Sequence, residues 1–203
     1  MSIDDPTPTE LASPDPPIDA PVDEPLPAAP NSPTSVRRVA ILTAVAAFVL
    51  LADEITKSIV AAHLTPGSSP RILGGLFYFS LVRNSGAAWG VAGGATALFA
   101  VISAAVAATI IRMARRLRST VWAVALGLLL GGALGNLSDR LFRAPGFLRG
   151  RVVDFISVLG PDGQHFPVFN IADSAVTTGV ALLFISMLLG IGLEGKPGND
   201  RQQ

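Results

Sequence analysis

The sequence contains no cysteine. Disulfides, zinc–thiolate centres, iron–sulfur clusters and a cysteine nucleophile are thereby excluded, and so is a lipid anchor attached through cysteine. Histidine is nearly as scarce. His63 and His165 stand 102 residues apart and no H-E-x-x-H run occurs, so a zinc-protease centre lacks its ligands. Neither a G-x-S-x-G elbow nor a G-x-x-x-x-G-K-[ST] loop is present, and the hydrolase and nucleotide-binding chemistries they support lose their signature. Basic runs interleaved with aromatics are missing too, which argues against nucleic acid as a partner. Charge itself is sparse: 15% of the 203 residues are charged, against about 25% in a soluble domain. Half of the chain is apolar and its mean hydropathy is +0.52. These values point to a membrane protein.

The charges sum to zero, 15 basic against 15 acidic, but they are unevenly placed. Residues 1–35 hold seven acids, no base and 10 of the 16 prolines. The remainder therefore carries 15 bases and 8 acids, a net of +7. A Pro-, Asp-, Ala- and Ser-rich stretch cannot bury enough apolar surface to offset chain entropy, so residues 1–35 read as a disordered acidic tail. Its acidic start does not fit a signal peptide. Arg37-Arg38 before an apolar run fits a basic anchor at the inner end of a membrane helix better than a twin-arginine export signal.

Four apolar segments follow, at about Val39–Ala62, Ala88–Ile111, Thr120–Leu137 and Phe169–Leu193. Each is close to the roughly 20 residues that a helix needs to cross a bilayer core, and helices satisfy their own backbone groups in lipid. In the third, Gly127, Gly131 and Gly135 recur every four residues, which puts them on one helix face where another helix can approach closely. Arg37 and Arg38 precede the first segment, and Arg112, Arg115, Arg116 and Arg118 join the second to the third. The positive-inside rule puts both groups, and hence both termini, in the cytoplasm. Six arginines (Arg71, Arg83, Arg140, Arg143, Arg149 and Arg151) then fall outside, against that rule.

With this topology the unusual polar stretches gather at the outer helix ends. They are Asp53-Glu54-Ile55-Thr56-Lys57, the run N-S-G-A-A-W-G from Asn84, Gly135-Asn136-Leu137-Ser138-Asp139-Arg140, Val152-Val153-Asp154-Phe155, and Phe169-Asn170-Ile171-Ala172-Asp173-Ser174. Asp53 stands 15 residues beyond Arg38, or roughly 23 Å along a helix at ~1.5 Å per residue, within the depth of a core about 30 Å thick. Singly, each stretch reads as an interfacial cap satisfied by water. Ionisable groups at membrane depth are costly, and the convergence of five such stretches points to a site.

These five stretches, in this order on four helices, resemble the lipoprotein signal peptidase family, also called signal peptidase II. The likeness covers about residues 37–192. The first stretch departs from the family's usual D-Q-x-T-K, with Glu54 in place of the glutamine. The resemblance implies an all-α membrane fold of four transmembrane helices. It adds a small extracytoplasmic β-cradle and a short surface helix, supplied here by residues 63–91, with Arg71–Val82 suited to short strands. The domain would span 36–193, between the acidic cytoplasmic tail 1–35 and a short cytoplasmic C-terminal tail 194–203.

The same resemblance implies an aspartic endopeptidase of the bacterial cell membrane. It would cleave diacylglyceryl-modified prolipoproteins just before the lipidated cysteine, on the extracytoplasmic side, with Asp154 and Asp173 as the catalytic pair. No metal or cofactor is implied. The expected partners are those substrates and membrane lipids, and the expected state is a monomer. Two close carboxylates share one proton, because both cannot easily ionise together. The ionised one activates water while the protonated one hydrogen-bonds the scissile carbonyl.

Around the pair, Asn136 and Asn170 either orient the carboxylates or join helices by hydrogen bonds. Asn84 either binds the substrate backbone or the tetrahedral intermediate, or serves as a turn residue. Asp53 and Lys57 stand at i and i+4, the spacing of a structural helix-face ion pair. Arg140 anchors either the substrate backbone or a loop, and Asp139 gives it support. Trp89, Phe77 and Phe79 suit an interfacial belt or a lipid-binding groove. Three other readings compete: a serine–lysine peptidase using Ser85, Ser138 or Ser174 with Lys57 as base, a transporter whose acids relay protons, and a hydrolase holding a metal on Asp53, Asp154 and Asp173.

Overall fold

The computed structural model describes residues 33–86 and 96–195, with side chains from Val36 onward. The acidic tail up to Ser32, the Ala87–Gly90 part of the second motif with its Trp89, and the C-terminal residues after Gly195 lie outside the described residues.

Among the described residues, four helices are long and apolar enough to cross a membrane. They are α1 (Pro33–His63), α2 (Thr96–Ala114), α3 (Thr120–Phe142) and α4 (Ile171–Leu188). Between them lie three short strands, β1 (Arg71–Ile72), β2 (Phe77–Asn84) and β3 (Val152–Val158), which form one antiparallel sheet in that order. The sheet draws only two of its strands from the region expected to supply it; the third comes from the α3–α4 connection. The described part of residues 63–91 also holds a 3-10 turn, Leu73–Gly75, and residues 87–91, where the rest of the expected surface helix would fall, lie outside the described residues.

Helix α3 is central, with half of its span buried against roughly a fifth for each of the others. Its small residues explain that position. A Cβ on Gly127 would stand 2.8 Å from the Leu42 carbonyl oxygen, and one on Gly131 2.7 Å from that of Ala46. Both glycines face α1, and the third of the series, Gly135, faces Asp53 of the same helix. The facing stripe on α1 is Leu42, Ala46, Val49, Asp53 and Lys57, all buried. Its spacing of three and four residues is one helix face, apolar for most of its length and charged at one end. The opposite surfaces of the helices carry exposed residues such as Phe48, Leu51, Ile59, Val101 and Phe184, as expected where lipid is the solvent.

Two helix ends differ from expectation. Helix α3 continues past Leu137 to Phe142, and Asp139 in its last turn pairs with Arg143, the C-cap residue. Helix α4 stops at Leu188 instead of Leu193. The chain turns at Gly190, which has φ +67°, and folds back so that the Leu193 carbonyl accepts from the N–H groups of Arg118 and Ser119. Trp122 Nε1 also donates to the Ile191 carbonyl at 2.8 Å. The C-terminal segment thus ties off the start of α3, whose free N–H groups need acceptors.

Candidate active site

The charged end of the α1 stripe organises the site. Lys57 Nζ is fully buried, 2.6 Å from Asp53 Oδ2 and 2.8 Å from Asp139 Oδ2. It also donates to Asn136 Oδ1 at 3.1 Å. A buried cation needs anionic partners, and here it has two on different helices. Each carboxylate then reaches further. Asp53 Oδ1 accepts from the Ala172 N–H at 2.9 Å and so holds the first turn of α4. Asp139 accepts from the Val153 N–H at 3.2 Å and holds β3. Arg143 pairs with Asp139 and with Glu54 Oε2, the latter at 3.4 Å. Asp53, Lys57 and Asp139 thus form a buried lock between α1 and α3. The i, i+4 spacing suggested the Asp53–Lys57 pair, whereas Asp139, expected to support Arg140, pairs with Lys57 and Arg143 instead. The serine–lysine reading loses its base, because Lys57 is enclosed by carboxylates and an amide.

Above this lock stand two further acids. Asp154 lies on β3 opposite Val82 of β2. Asn84, two residues along β2, therefore shares its face, within diagonal reach, and donates from Nδ2 to Asp154 Oδ2 at 3.0 Å. The Phe155 and Ile156 N–H groups bond the Phe169 carbonyl, and Phe169 donates back to Ile156, which fixes β3 to the start of α4. There Asn170 and Asp173 form a capping box: Asn170 Oδ1 accepts from the Asp173 N–H at 2.9 Å, and Asp173 Oδ2 accepts from the Asn170 N–H at 3.3 Å. Such a box satisfies helix-end donors reciprocally.

The two asparagines connect the acids. Asn170 Nδ2 donates to Asp154 Oδ1 at 2.7 Å and to Asn136 Oδ1 at 3.2 Å. Asn136 Nδ2 donates to Asp173 Oδ1 at 2.8 Å. Asp154 and Asp173 both line a cavity of about 510 Å³, with Asn84, Phe166, Phe169 and Ser174 among its other walls. Burial pushes the Asp154 carboxyl up to about 7, and the charge of Asp173 adds to this, while the amides of Asn84 and Asn170 pull the other way. A carboxyl that holds its proton near neutrality beside a second acid can serve as a proton donor.

The chain matches the family model for signal peptidase (SPase) II over residues 45–189. The chain belongs to the signal peptidase II family. It is 48% identical over 172 residues to the lipoprotein signal peptidase of Streptomyces coelicolor, covering 85% of this chain and 82% of that one. Against the lipoprotein signal peptidase of Mycobacterium tuberculosis it is 46% identical over 165 residues, 81% of this chain and 79% of the relative. A solved structure, described as a bacterial membrane enzyme and determined at 2.3 Å, superposes with a TM-score of 0.66 at 32% identity, covering 81% of this chain and 93% of the other. A second, at 1.9 Å, gives 0.64 at 35% identity, with 73% and 93% covered. Membership makes the protein a multi-pass bacterial membrane protease of lipoprotein processing.

The nine residues proposed from the sequence for the site lie at this end of the bundle; eight join the network just described through their side chains, and Arg140 is tied to it through the Asn136 backbone. Its Nη1 donates to the Asn136 carbonyl at 2.7 Å and its guanidinium lies 5.6 Å from the centre of the Phe99 ring. Its backbone carbonyl also accepts from the Gly150 N–H. Three contributors were missed: the Arg143–Glu54 pair, the strand β3, and the cavity wall at Phe166. The run V-V-D-F-I-S-V was the available signal for the strand, rich in β-branched residues. No local signal marks the other two.

Proposed function

We propose that the protein is an aspartic endopeptidase that removes signal peptides from prolipoproteins carrying diacylglycerol on the cysteine, cutting just before that residue. The observation that carries this reading is the shared cavity of Asp154 and Asp173, together with Asn170, which hydrogen-bonds both. Asp154 holds the shared proton and donates it toward the scissile carbonyl oxygen. Asp173 takes a proton from a water whose oxygen attacks the carbonyl carbon. The proton taken by Asp173 then passes to the leaving nitrogen as the C–N bond breaks. Asp154 regains its proton from the collapsing diol. Asn84 and Asn170 hold Asp154 in place through this cycle.

The apolar wall of the cavity, Phe166, Pro167, Val168 and Phe169, suits a substrate with acyl chains. The arginine cluster between α2 and α3 lies at the end opposite the site, which by the positive-inside rule makes the site extracytoplasmic and both termini cytoplasmic. The β1–β2–β3 sheet serves as the cradle over the peptide. Catalysis belongs to residues 36–193 acting as a monomer, with the tails 1–35 and 194–203 outside it.

The test is cleavage of a diacylglyceryl-modified prolipoprotein and its unlipidated form, side by side, by purified wild type, Asp154→Asn and Asp173→Asn. Each variant should fold and lose about 10²–10⁴-fold or more in turnover, the range for a positioned acid or base. Full activity in either would refute the dyad, and equal cleavage of both substrates would refute lipid dependence.

A further inference from the structure

The six arginines at the site end of the chain divide into two groups. Arg71 donates to the Gly74 carbonyl, Arg140 is held by Asn136 and Phe99, and Arg143 pairs with Asp139 and Glu54. These three are committed to partners within the chain. The side chains of Arg83, Arg149 and Arg151 are exposed and make no hydrogen bond or ion pair with the described residues. They are neighbours. Arg83 pairs in the sheet with Val153, next to the pairing of Asn84 with Val152, so Arg151 follows directly at the strand end. Arg83 and Arg151 line a recess of about 350 Å³ with Pro145. Arg149 and Arg151 line a second of about 420 Å³, also walled by Pro145.

Among the described residues nothing acidic neutralises them. At this end Asp53 and Asp139 hold Lys57, Glu54 holds Arg143, Asp154 and Asp173 are engaged in the site, and Asp162 accepts from Ser69. The loop that carries Arg149 and Arg151 also presents two large apolar side chains to the surroundings, Phe142 at 79% exposed and Phe147 at 69%. Phe142 is the last residue of α3, where the chain leaves the apolar span. Two exposed aromatics, Phe142 and Phe147, followed by two exposed arginines, Arg149 and Arg151, match the two layers of a lipid surface: acyl boundary for the rings, phosphate for the guanidinium groups. Arginine is suited to phosphate oxygens by its planar fork of donors.

We infer that Arg83, Arg149 and Arg151 bind the phosphodiester headgroup of an anionic phospholipid, with Phe142 and Phe147 seated among its acyl chains. This gives the arginines that break the positive-inside pattern a physical role. It ties the loop after α3, and the β2–β3 strand ends beside Asn84 and Asp154, to the membrane surface.

The full chain, purified in maltoside micelles, is to be mixed with dioleoylphosphatidylglycerol, with dioleoylphosphatidylcholine, or with inorganic phosphate alone, and retention measured by native mass spectrometry alongside the unfolding temperature. The wild type should retain phosphatidylglycerol over phosphatidylcholine, and the preference should fall as salt rises from about 0.05 to 0.5 M, since screening shortens the reach of exposed charges. The triple variant R83Q/R149Q/R151Q should lose that preference, by about 100-fold at roughly 1 kcal/mol per arginine near an anionic surface. Its phosphatidylcholine retention and lipid-free unfolding temperature should not change. F142S/F147S should weaken retention of both lipids. A triple variant with wild-type preference overturns the inference, as does a salt-independent preference, or inorganic phosphate that alone gives the full stabilisation. Should the triple variant fail to fold, the single variants R83Q, R149Q and R151Q, each expected to lose about 5-fold in preference at roughly 1 kcal/mol per arginine, and the wild-type salt series decide the question: wild-type preference in all three singles overturns the inference.

Discussion

Asn170 donates from Nδ2 to Asp154 Oδ1 at 2.7 Å while its Oδ1 accepts from the Asp173 backbone N–H at 2.9 Å. One side chain thus caps α4 and ties β3 to it. The separation of the two acids is set by this amide and by Asn136. Asn170→Ala should lower kcat by about 10²-fold or more, as for loss of a positioning hydrogen bond, and should cost about 1 kcal/mol as a lost helix cap. Asn170→Ser restores the cap alone. It should recover unfolding temperature and leave kcat low; recovery of both would mean that the cap is all Asn170 provides.

The raised Asp154 carboxyl gives a pH signature of known sign. Between 3.8, its ordinary value, and about 7, the folded protein holds a proton there that the unfolded chain has released. The corresponding stability is fully present below 3.8 and is lost as pH rises to about 7. Cleavage should fall over the upper part of the same range, as the donor loses its proton. Asp154→Asn should be inactive, yet should resist unfolding better than wild type at pH 8 and show a flatter stability profile. A turnover profile still rising at pH 8 would contradict the role given to Asp154.

The membrane spans and the five polar stretches were legible in the sequence because each is a local pattern: a long apolar run, or a carboxylate and an amide where lipid is expected. The glycine series of α3 was legible for the same reason, and Gly127, Gly131 and Gly135 do face α1. Strand β3 was not. Val152, Val153, Asp154 and Phe155 are all buried, so the strand lacks the alternation that marks a half-exposed one. The Glu54–Arg143 pair joins residues 89 apart, and no spacing announces it. The turn that ends α4 at Gly190 depends on an acceptor needed at Ser119, again a long-range cause.

The close contact of α3 with α4 makes a distinct test. Gly132 faces α4, and a Cβ there would stand 2.5 Å from the Ala172 carbonyl oxygen. That oxygen belongs to backbone just after Asn170, so relief must move the helix that carries Asp173. Gly132→Ala should lower the unfolding temperature and also reduce kcat. At Gly127 the neighbours are Leu42 and Val45, remote from both acids. Gly127→Ala should destabilise by a comparable 1–3 kcal/mol or so, typical of overpacking, with kcat in the folded fraction little changed. Equal effects on kcat at the two positions would argue against the site's dependence on the α3–α4 spacing.

Lys57 neutralises two carboxylates that have no water to turn to, since Asp53, Asp139 and Lys57 itself are essentially inaccessible. Lys57→Met keeps much of the chain volume and removes the charge, leaving both acids buried without their common partner. Breaking such a cluster costs about 3–5 kcal/mol, a large part of the 5–15 kcal/mol or so by which typical folds are stable. The purified variant should show a sharply lower unfolding temperature and poor yield. Neutralising one acid as well should restore part of the loss, so that Lys57→Met with Asp53→Asn unfolds later than Lys57→Met alone. Activity should recover less than stability does, because Asp53 also accepts from the Ala172 N–H and an amide replaces a charged acceptor by a weaker one. If the double variant were no more stable than the single, the two acids would not be competing for one buried cation, and the lock beneath Asp154 and Asp173 would have to be held by packing.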